Sequence, residues 1–225
     1  YPFRSRISWP GGDFNHLGPG TGRPRGEQVW QVAVKSAGKD KFVANARGSH
    51  YTVGRAVEVF PTHVYVKDKI TNTTGKDLGL LIYHETPVRS ETLTSSLLSG
   101  YERRGRQADL TYPDYAPSTW FTDDTIGMGI VPTDDVFILQ AVPYVDWQET
   151  AGLATEQFAL APGKSYTLEW SIYPTGSKDY YDFVNNFRRA ENRIGTVNEA
   201  PGFVTGTPHP PARRDLVDAD FMDKR

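Results

Sequence analysis

Apolar and polar residues alternate in steps of two through most of the chain, and the rhythm becomes clear at Gln28. In QVWQVAVKS, Trp30, Val32 and Val34 share one face. KFVANA and YTVGRAVEVF continue the pattern, with Gly and Asn/Lys/Asp clusters between them where hairpins would turn. In HVYVKDKITN, Val64, Val66 and Ile70 oppose His63, Tyr65, Lys67 and Lys69; a one-residue slip would bury the lysines, so the register is well determined. LGLLIYHETPV sets Leu78, Leu80 and Ile82 against Gly79, Leu81 and Tyr83. Apolar residues on both faces predict a central strand. IGMGIVP and VFILQAVPY, parted by the turn TDD, are expected to be strands, as are EQFALA and SYTLEWSIYP, in which Tyr166, Leu168, Trp170 and Ile172 share a face. Many short strands at close spacing predict an antiparallel β-sandwich, all-β in class, over residues 28–178.

Three segments break the rhythm. Residues 1–27 are rich in Gly, Pro and Arg without a period and read as an irregular N-terminal segment. Residues 99–125 read as one long loop, and loops of that length in compact domains often carry function. At the far end, DYYDFVNNFRRAENRIG places Tyr180, Phe183, Val184, Phe187 and Ile194 at three- and four-residue steps. With Asp179 as N-cap, arginines near the end and Gly195 as the stop, it predicts a C-terminal α-helix over 179–195 that buries its aromatic stripe on the sandwich. Pro201, Pro208, Pro210 and Pro211 then make 196–225 an extended proline-rich tail, a linker toward a following domain that DLVDADFMDKR would open.

Composition narrows the choice of chemistry. Twenty-five Lys and Arg nearly balance 27 Asp and Glu, so no field over the whole molecule attracts nucleic acid, and ERRGRQ is an isolated basic cluster. There is no cysteine, which removes disulfides, thiol catalysis and thiolate metal sites. No apolar run is long enough for a membrane helix. The glycines of LGPGTG have no helix behind them to make a phosphate cradle. Asn72-Thr73-Thr74 matches a glycosylation acceptor but reads as turn chemistry.

The succession EVFPTHVYVKDKITNTTGKDLGLLIYHE, GMGIVPTDDVFIL and LAPGKSYTLEWSIYPTGSKDYYDFVNNFRR resembles the β-sandwich domains of large bacterial proteins related to glycoside hydrolases, the galactose-mutarotase-like class found ahead of catalytic barrels. The likeness runs from Gln28 to Arg189. It implies an accessory carbohydrate-binding domain, extracellular or periplasmic, whose helix and tail lead toward a tethered catalytic domain. It carries no catalytic signature.

Sugar rings lie on Trp and Tyr faces, while Arg pairs sulfate or carboxylate groups. The loop supplies both kinds of partner in Tyr101, Arg103, Arg104, Arg106, Tyr112, Tyr115 and Trp120. The expected ligand is therefore a polysaccharide or oligosaccharide, with an anionic or sulfated glycan first to test. Trp147 joins this set, with Trp9 and the face carrying Tyr65 as secondary candidates; Trp30 and Trp170 read as core. The competing plain reading is that the tyrosines pin an ordinary loop to the sheet and the arginines are solvated; a second reading is a structural domain that packs on a barrel, with these residues buried at the domain interface. A third reading is an epimerase or hydrolase using His84 or Glu85. Adjacent strand residues point to opposite faces, however, so the two would share a cleft only across a bulge, and His16, His50 and His63 have no motif around them. No cofactor is implied. Asp123-Asp124 and Asp134-Asp135 would suit a structural calcium, but turn and cap roles explain them more simply.

Overall fold

The computed structural model describes residues 2–18, 26–88, 93–102, 108–109 (backbone only), 116–146 and 150–192. The strands are β1 (Arg4–Trp9), β2 (Asp13–Leu17), β3 (Gln31–Gly38), β4 (Lys41–Arg47), β5 (Tyr51–Val59), β6 (Val64–Asn72), β7 (Leu78–Pro87) and β8 (Ser95–Leu98). After them come β9 (Tyr101–Glu102), β10 (Ala108–Asp109), β11 (Thr119–Thr122), β12 (Gly127–Pro132), the helix α1 (Asp135–Gln140), β13 (Val142–Val145), β14 (Thr150–Leu160), β15 (Ser165–Thr175) and the helix α2 (Tyr180–Ala190).

They form two antiparallel sheets. A small sheet of six strands runs β10-β13-β14-β7-β1-β2, and a large sheet of nine runs β3-β4-β5-β6-β15-β12-β11-β8-β9. Between them lies one apolar core, with Ile7 and Ile82 from the small sheet meeting Tyr51, Ile70, Leu168 and Trp170 from the large one. The all-β sandwich with a C-terminal helix is thus the observed architecture, and the alternation read in β4 to β7 and β15 is the alternation of the structure.

Two expectations are corrected. The segment taken as irregular contains β1 and β2, joined by a Pro10-Gly11-Gly12 turn closed by the Gly12 amide on the Trp9 carbonyl at 3.2 Å. Its period was hidden because two of its inward positions are the polar Ser5 and Asn15, both fully buried. VFILQAVPY is not one strand either. Asp134 caps α1 by accepting from the Phe137 amide at 3.0 Å, and its other oxygen takes the Glu169 amide at 2.7 Å, which ties the helix to β15. The strand resumes only at Val142.

α2 lies on the outer face of the large sheet. Asp179 caps it as expected, accepting from the Tyr181 amide at 2.8 Å. Its stripe of Tyr180, Phe183, Val184 and Phe187 packs on Trp120, Val131 and Tyr173, a second apolar cluster outside the sandwich core. The approach is close because β12 carries Gly129: a Cβ there would stand 2.2 Å from two ring carbons of Phe183.

Gly129→Ala is therefore expected to push α2 off the sheet and cost about 1–3 kcal/mol, read as a lowered Tm together with weakened Trp120 burial in fluorescence. Gly79→Ala, on an exposed strand position with open space around it, is the control and should be neutral or mildly stabilising.

Candidate functional site

The strands of the small sheet bring two polar clusters together, one on each side of β7. Successive residues of a strand face opposite ways, and the pairing of β7 with both neighbours is unbroken through Tyr83, His84 and Glu85. His84 accordingly faces the interior and Glu85 the outside.

On the inside, Arg55 of β5 grips Asp68 of β6 through Nε at 2.7 Å and Nη2 at 2.8 Å. Nη2 also donates to Ser5 Oγ at 2.5 Å, so the Ser5 hydroxyl is left to donate to His84 Nδ1 at 2.7 Å. Trp170 Nε1 donates to Asp68 at 3.0 Å, and its ring stacks on His84 at 4.4 Å. With Nδ1 accepting, the proton of neutral His84 sits on Nε2, which has no hydrogen-bond partner and stands 3.9 Å from Asp68. That proximity would favour a charged imidazole, but burial weighs more and Arg55 opposes it as well, so the pKa is pushed down to about 3. Burial would raise Asp68, but the charge and hydrogen bonds of Arg55 outweigh it and hold the carboxyl below the usual range.

On the outside, Glu85 is fully buried, with Tyr144 of β13 buried beside it. Arg4 Nε donates to it at 2.9 Å, Arg6 through Nε and Nη2 at 2.8 Å each, and the Tyr144 hydroxyl at 2.6 Å. Burial pulls its pKa up; the bonds from Arg6 and Tyr144 and the two positive charges prevail and keep it ionised. Arg6 lies over the rings of Phe14 and Tyr83 at 5.1 and 4.7 Å, and these rings meet edge to face at 5.6 Å. Tyr83 donates to Glu156 at 2.6 Å and is pushed up to about 12 by burial and by that carboxylate. Four adjoining strands and β13 thus present rings, guanidinium groups and carboxylates side by side, the composition that holds a sugar by its C–H faces and hydroxyls.

β10 pairs with β13, setting Asp109 opposite Tyr144. The segment flagged as an aromatic-arginine loop therefore has one described stretch on the edge of this sheet. The other residues of that set fare differently. Tyr101, 66% exposed, stands on β9 at the far edge of the large sheet. Trp120 is a correction: it belongs to β11, is 2% exposed, and lies beneath α2 with Tyr180 edge-on at 5.6 Å, so it offers a ligand no face. Arg103, Arg104, Arg106, Tyr112, Tyr115 and Trp147 lie outside the described residues, as does the tail from 196.

The secondary candidates are also placed. Trp9 is half-buried against the core beside Gly11, and Tyr65 donates to Glu169 on the outer face of the large sheet with Lys67 over its ring at 5.1 Å. A shallow groove of about 800 Å³ crosses that outer face, lined by Gln31, Asn45, Arg47, Lys69 and Thr71 without an aromatic ring. The aspartate pairs serve turns and caps: Asp123 accepts from Thr125 and from the Ile126 amide at 2.9 Å, and Asp134 caps α1. No metal-binding group of His, Asp and Glu occurs among the described residues. Asn72 is fully buried, donating to Lys76 and Leu160 carbonyls, which is turn chemistry.

Arg4, Arg6, Phe14 and Tyr144 were missed in the sequence. The signal that would have found the first two is the alternation Arg-Ser-Arg-Ile in RSRISW, with both arginines on one face.

The fold is a two-sheet antiparallel β-sandwich with a helix on its outer face. No family model matches the chain, and no curated protein matches it. Solved structures do match in shape. An α-galactosidase of Geobacillus stearothermophilus solved with stachyose aligns at TM-score 0.48 and 11% identity, over 82% of this chain and 31% of that one. A polysaccharide lyase aligns at 0.44 and 13%, over 82% and 27%, and a protein named for aldose 1-epimerase from Escherichia coli K12 at 0.42 and 14%, over 76% and 79%. The chain spans about a third or less of the galactosidase and the lyase. All are distant, and the chemistry open to this chain is read from its own side chains.

His84 makes stability depend on acid. Unfolded, it titrates near 6.5; folded, it stays neutral down to about 3. Between those values only the unfolded state takes up the proton, so its contribution is complete above 6.5 and is lost as pH falls, at up to about 1.4 kcal/mol per unit. Asp68 and Glu85, with depressed pKa values, add their loss only below the ordinary carboxylate range. Denaturant titrations from pH 7.5 to 4.5 should show this slope, and His84→Asn, whose amide oxygen can still accept from Ser5, should flatten it while lowering stability overall. An equal slope in the variant rules the assignment out.

Proposed function

We propose that this chain is a non-catalytic carbohydrate-binding domain that takes a polysaccharide or oligosaccharide on the outer face of the small sheet, beside β10. The observation that carries the reading is the placement of Arg6 over Phe14 and Tyr83 while Glu85 fixes its guanidinium. A sugar ring laid beside Arg6 would meet the apolar edges of Phe14 and Tyr83, with Arg4, Arg6 and Glu156 around it for the hydroxyls. These side chains are held before a ligand arrives, so binding orders little. Arg103, Arg104, Arg106, Tyr112, Tyr115 and Trp147 enter the same proposal as further partners, the arginines for sulfate or carboxylate groups on the glycan. Outside the cytoplasm and tethered to a catalytic domain, such a site would raise the local concentration of substrate.

Binding is favoured over catalysis by the way the ionisable groups are held. Glu85 is locked as a carboxylate by four donated hydrogen bonds, Tyr83 and Tyr144 are raised, and His84 faces the core. An acid and a base poised near neutrality on one face are missing from this cluster. A structural reading has one observation in its favour: Glu85 and its donors satisfy one another without a ligand, as an interface with another domain would also require.

Affinity electrophoresis across neutral and sulfated polysaccharides separates these readings. Retardation by at least one glycan is expected, weakened about two- to tenfold by Phe14→Ala or Tyr83→Ala with circular dichroism unchanged. Retardation by none, or retardation untouched by Tyr83→Ala, Phe14→Ala and Tyr112→Ala together, overturns the binding reading. Release of reducing ends by the chain alone would establish an enzyme instead.

A further inference from the structure

Among the described residues β3 is the outermost strand of the large sheet, and all eight of its residues are exposed. Its inward side is apolar. Val32 and Val34 lie opposite Ala46 and Ala44, whose side chains are buried in the core, so both valines stand on the core side of the sheet. They are nevertheless 42% and 69% exposed, and Phe42 on the next strand is 45% exposed. Among the described residues the small sheet ends at β2 and leaves them open. These side chains form the open rim of a cavity of about 480 Å³ whose deeper walls include Val57, Val64 and Trp170.

An uncovered edge strand is a template for another strand, because one side of its backbone has N–H and C=O groups without a ladder partner. The usual defences are weak here. β3 has no proline, its irregularity comes only at the Ser36/Gly38 end, and its one lysine, Lys35, points to the outer face.

We propose that β3 is the contact of a symmetric dimer, in which β3 of one copy pairs antiparallel with β3 of another and the two large sheets become continuous. The sequence of the strand is complementary to itself in one register. Residues directly opposite must lie on the same face, and a one-residue slip would set the apolar side of one copy against the wet side of the other. With the two-fold axis through Ala33, Val32 faces Val34 twice on the inner side and Gln31 faces Lys35 twice on the outer side. Apolar meets apolar, an amide meets each ammonium, and no like charges oppose. Moving the axis to Val34 would set Val32 against Ser36, and moving it to Lys35 would set lysine on lysine. The chosen register brings the second copy's valines to the rim of the cavity, covering the apolar surface that the small sheet leaves open. A contact of this length falls at the low end of specific interfaces, about 1,200 Å² in total, so the dimer forms with rising concentration.

Sedimentation velocity on the 225-residue chain tests this from micromolar to near-millimolar concentration. The expected result is a shift to twice the monomer mass, with Val34→Lys weakening association roughly tenfold or more and leaving the circular dichroism unchanged, since the position is largely exposed. The chain has no cysteine, which gives a second and sharper measurement. In an antiparallel pair, opposed Cα atoms are about 4.5–5.5 Å apart, inside the range a disulfide needs. Ala33→Cys should therefore form a covalent dimer on mild oxidation, well ahead of Lys39→Cys at the following turn. A chain that stays monomeric at every concentration, or Lys39→Cys crosslinking as fast as Ala33→Cys, overturns the proposal.

Discussion

A charged network buried between the sheets sets how they face each other. Arg55 and Asp68 belong to the large sheet, Ser5 and His84 to the small one, and Trp170 closes the ring from β15. Taking such a pair out of water costs several kcal/mol, which its attraction offsets only when the geometry is right and the remaining donors find acceptors. Here both guanidinium bonds to Asp68 are short, and the spare donor on Nη2 reaches across to Ser5. The apolar core alone would tolerate small slides of one sheet over the other; the fork of Arg55 tolerates few.

The same constraint explains the outer face. β7 alternates without a bulge, so fixing His84 inward fixes Glu85 outward, opposite Arg4 on one neighbour and Gly152 on the other. Gly152 leaves room there: a Cβ would stand 2.9 Å from the Glu85 Cα and closer still to the His84 carbonyl oxygen. Glu85 can then sink below the side chains around it and collect Arg4, Arg6 and Tyr144. Two polar clusters, one dry and one at the surface, are thus consequences of one strand.

Most of the sandwich was legible because its central strands follow a two-residue period against an apolar interior. That period is absent where inward positions are polar. Ser5 is buried in the Arg55 network, and Asn15 is buried against Glu27 and Tyr51, so β1 and β2 lack the apolar alternation that marks a strand. At VFILQ, strand-like composition met an aspartate placed to cap a turn of helix. Of the candidate site, the sequence displayed Glu85 and Tyr83 but gave no way to see that Arg6 and Phe14, some 70 residues earlier, pack on them. Trp120 misled for the converse reason: an aromatic in a presumed loop was a strand residue awaiting the helix that covers it.

An acid-base pair of His84 and Glu85 in one cleft would need a bulge, and the unbroken pairing of β7 through both residues sets them on opposite faces. His84 is kept neutral inside the core, away from the outer face. Glu85, which accepts three bonds from two arginines and one from Tyr144, aims those arginines. The rings and guanidinium groups of the outer face are fixed by the same hydrogen bonds and ion pairs that hold Glu85 in place. The division follows from the two-residue period of β7.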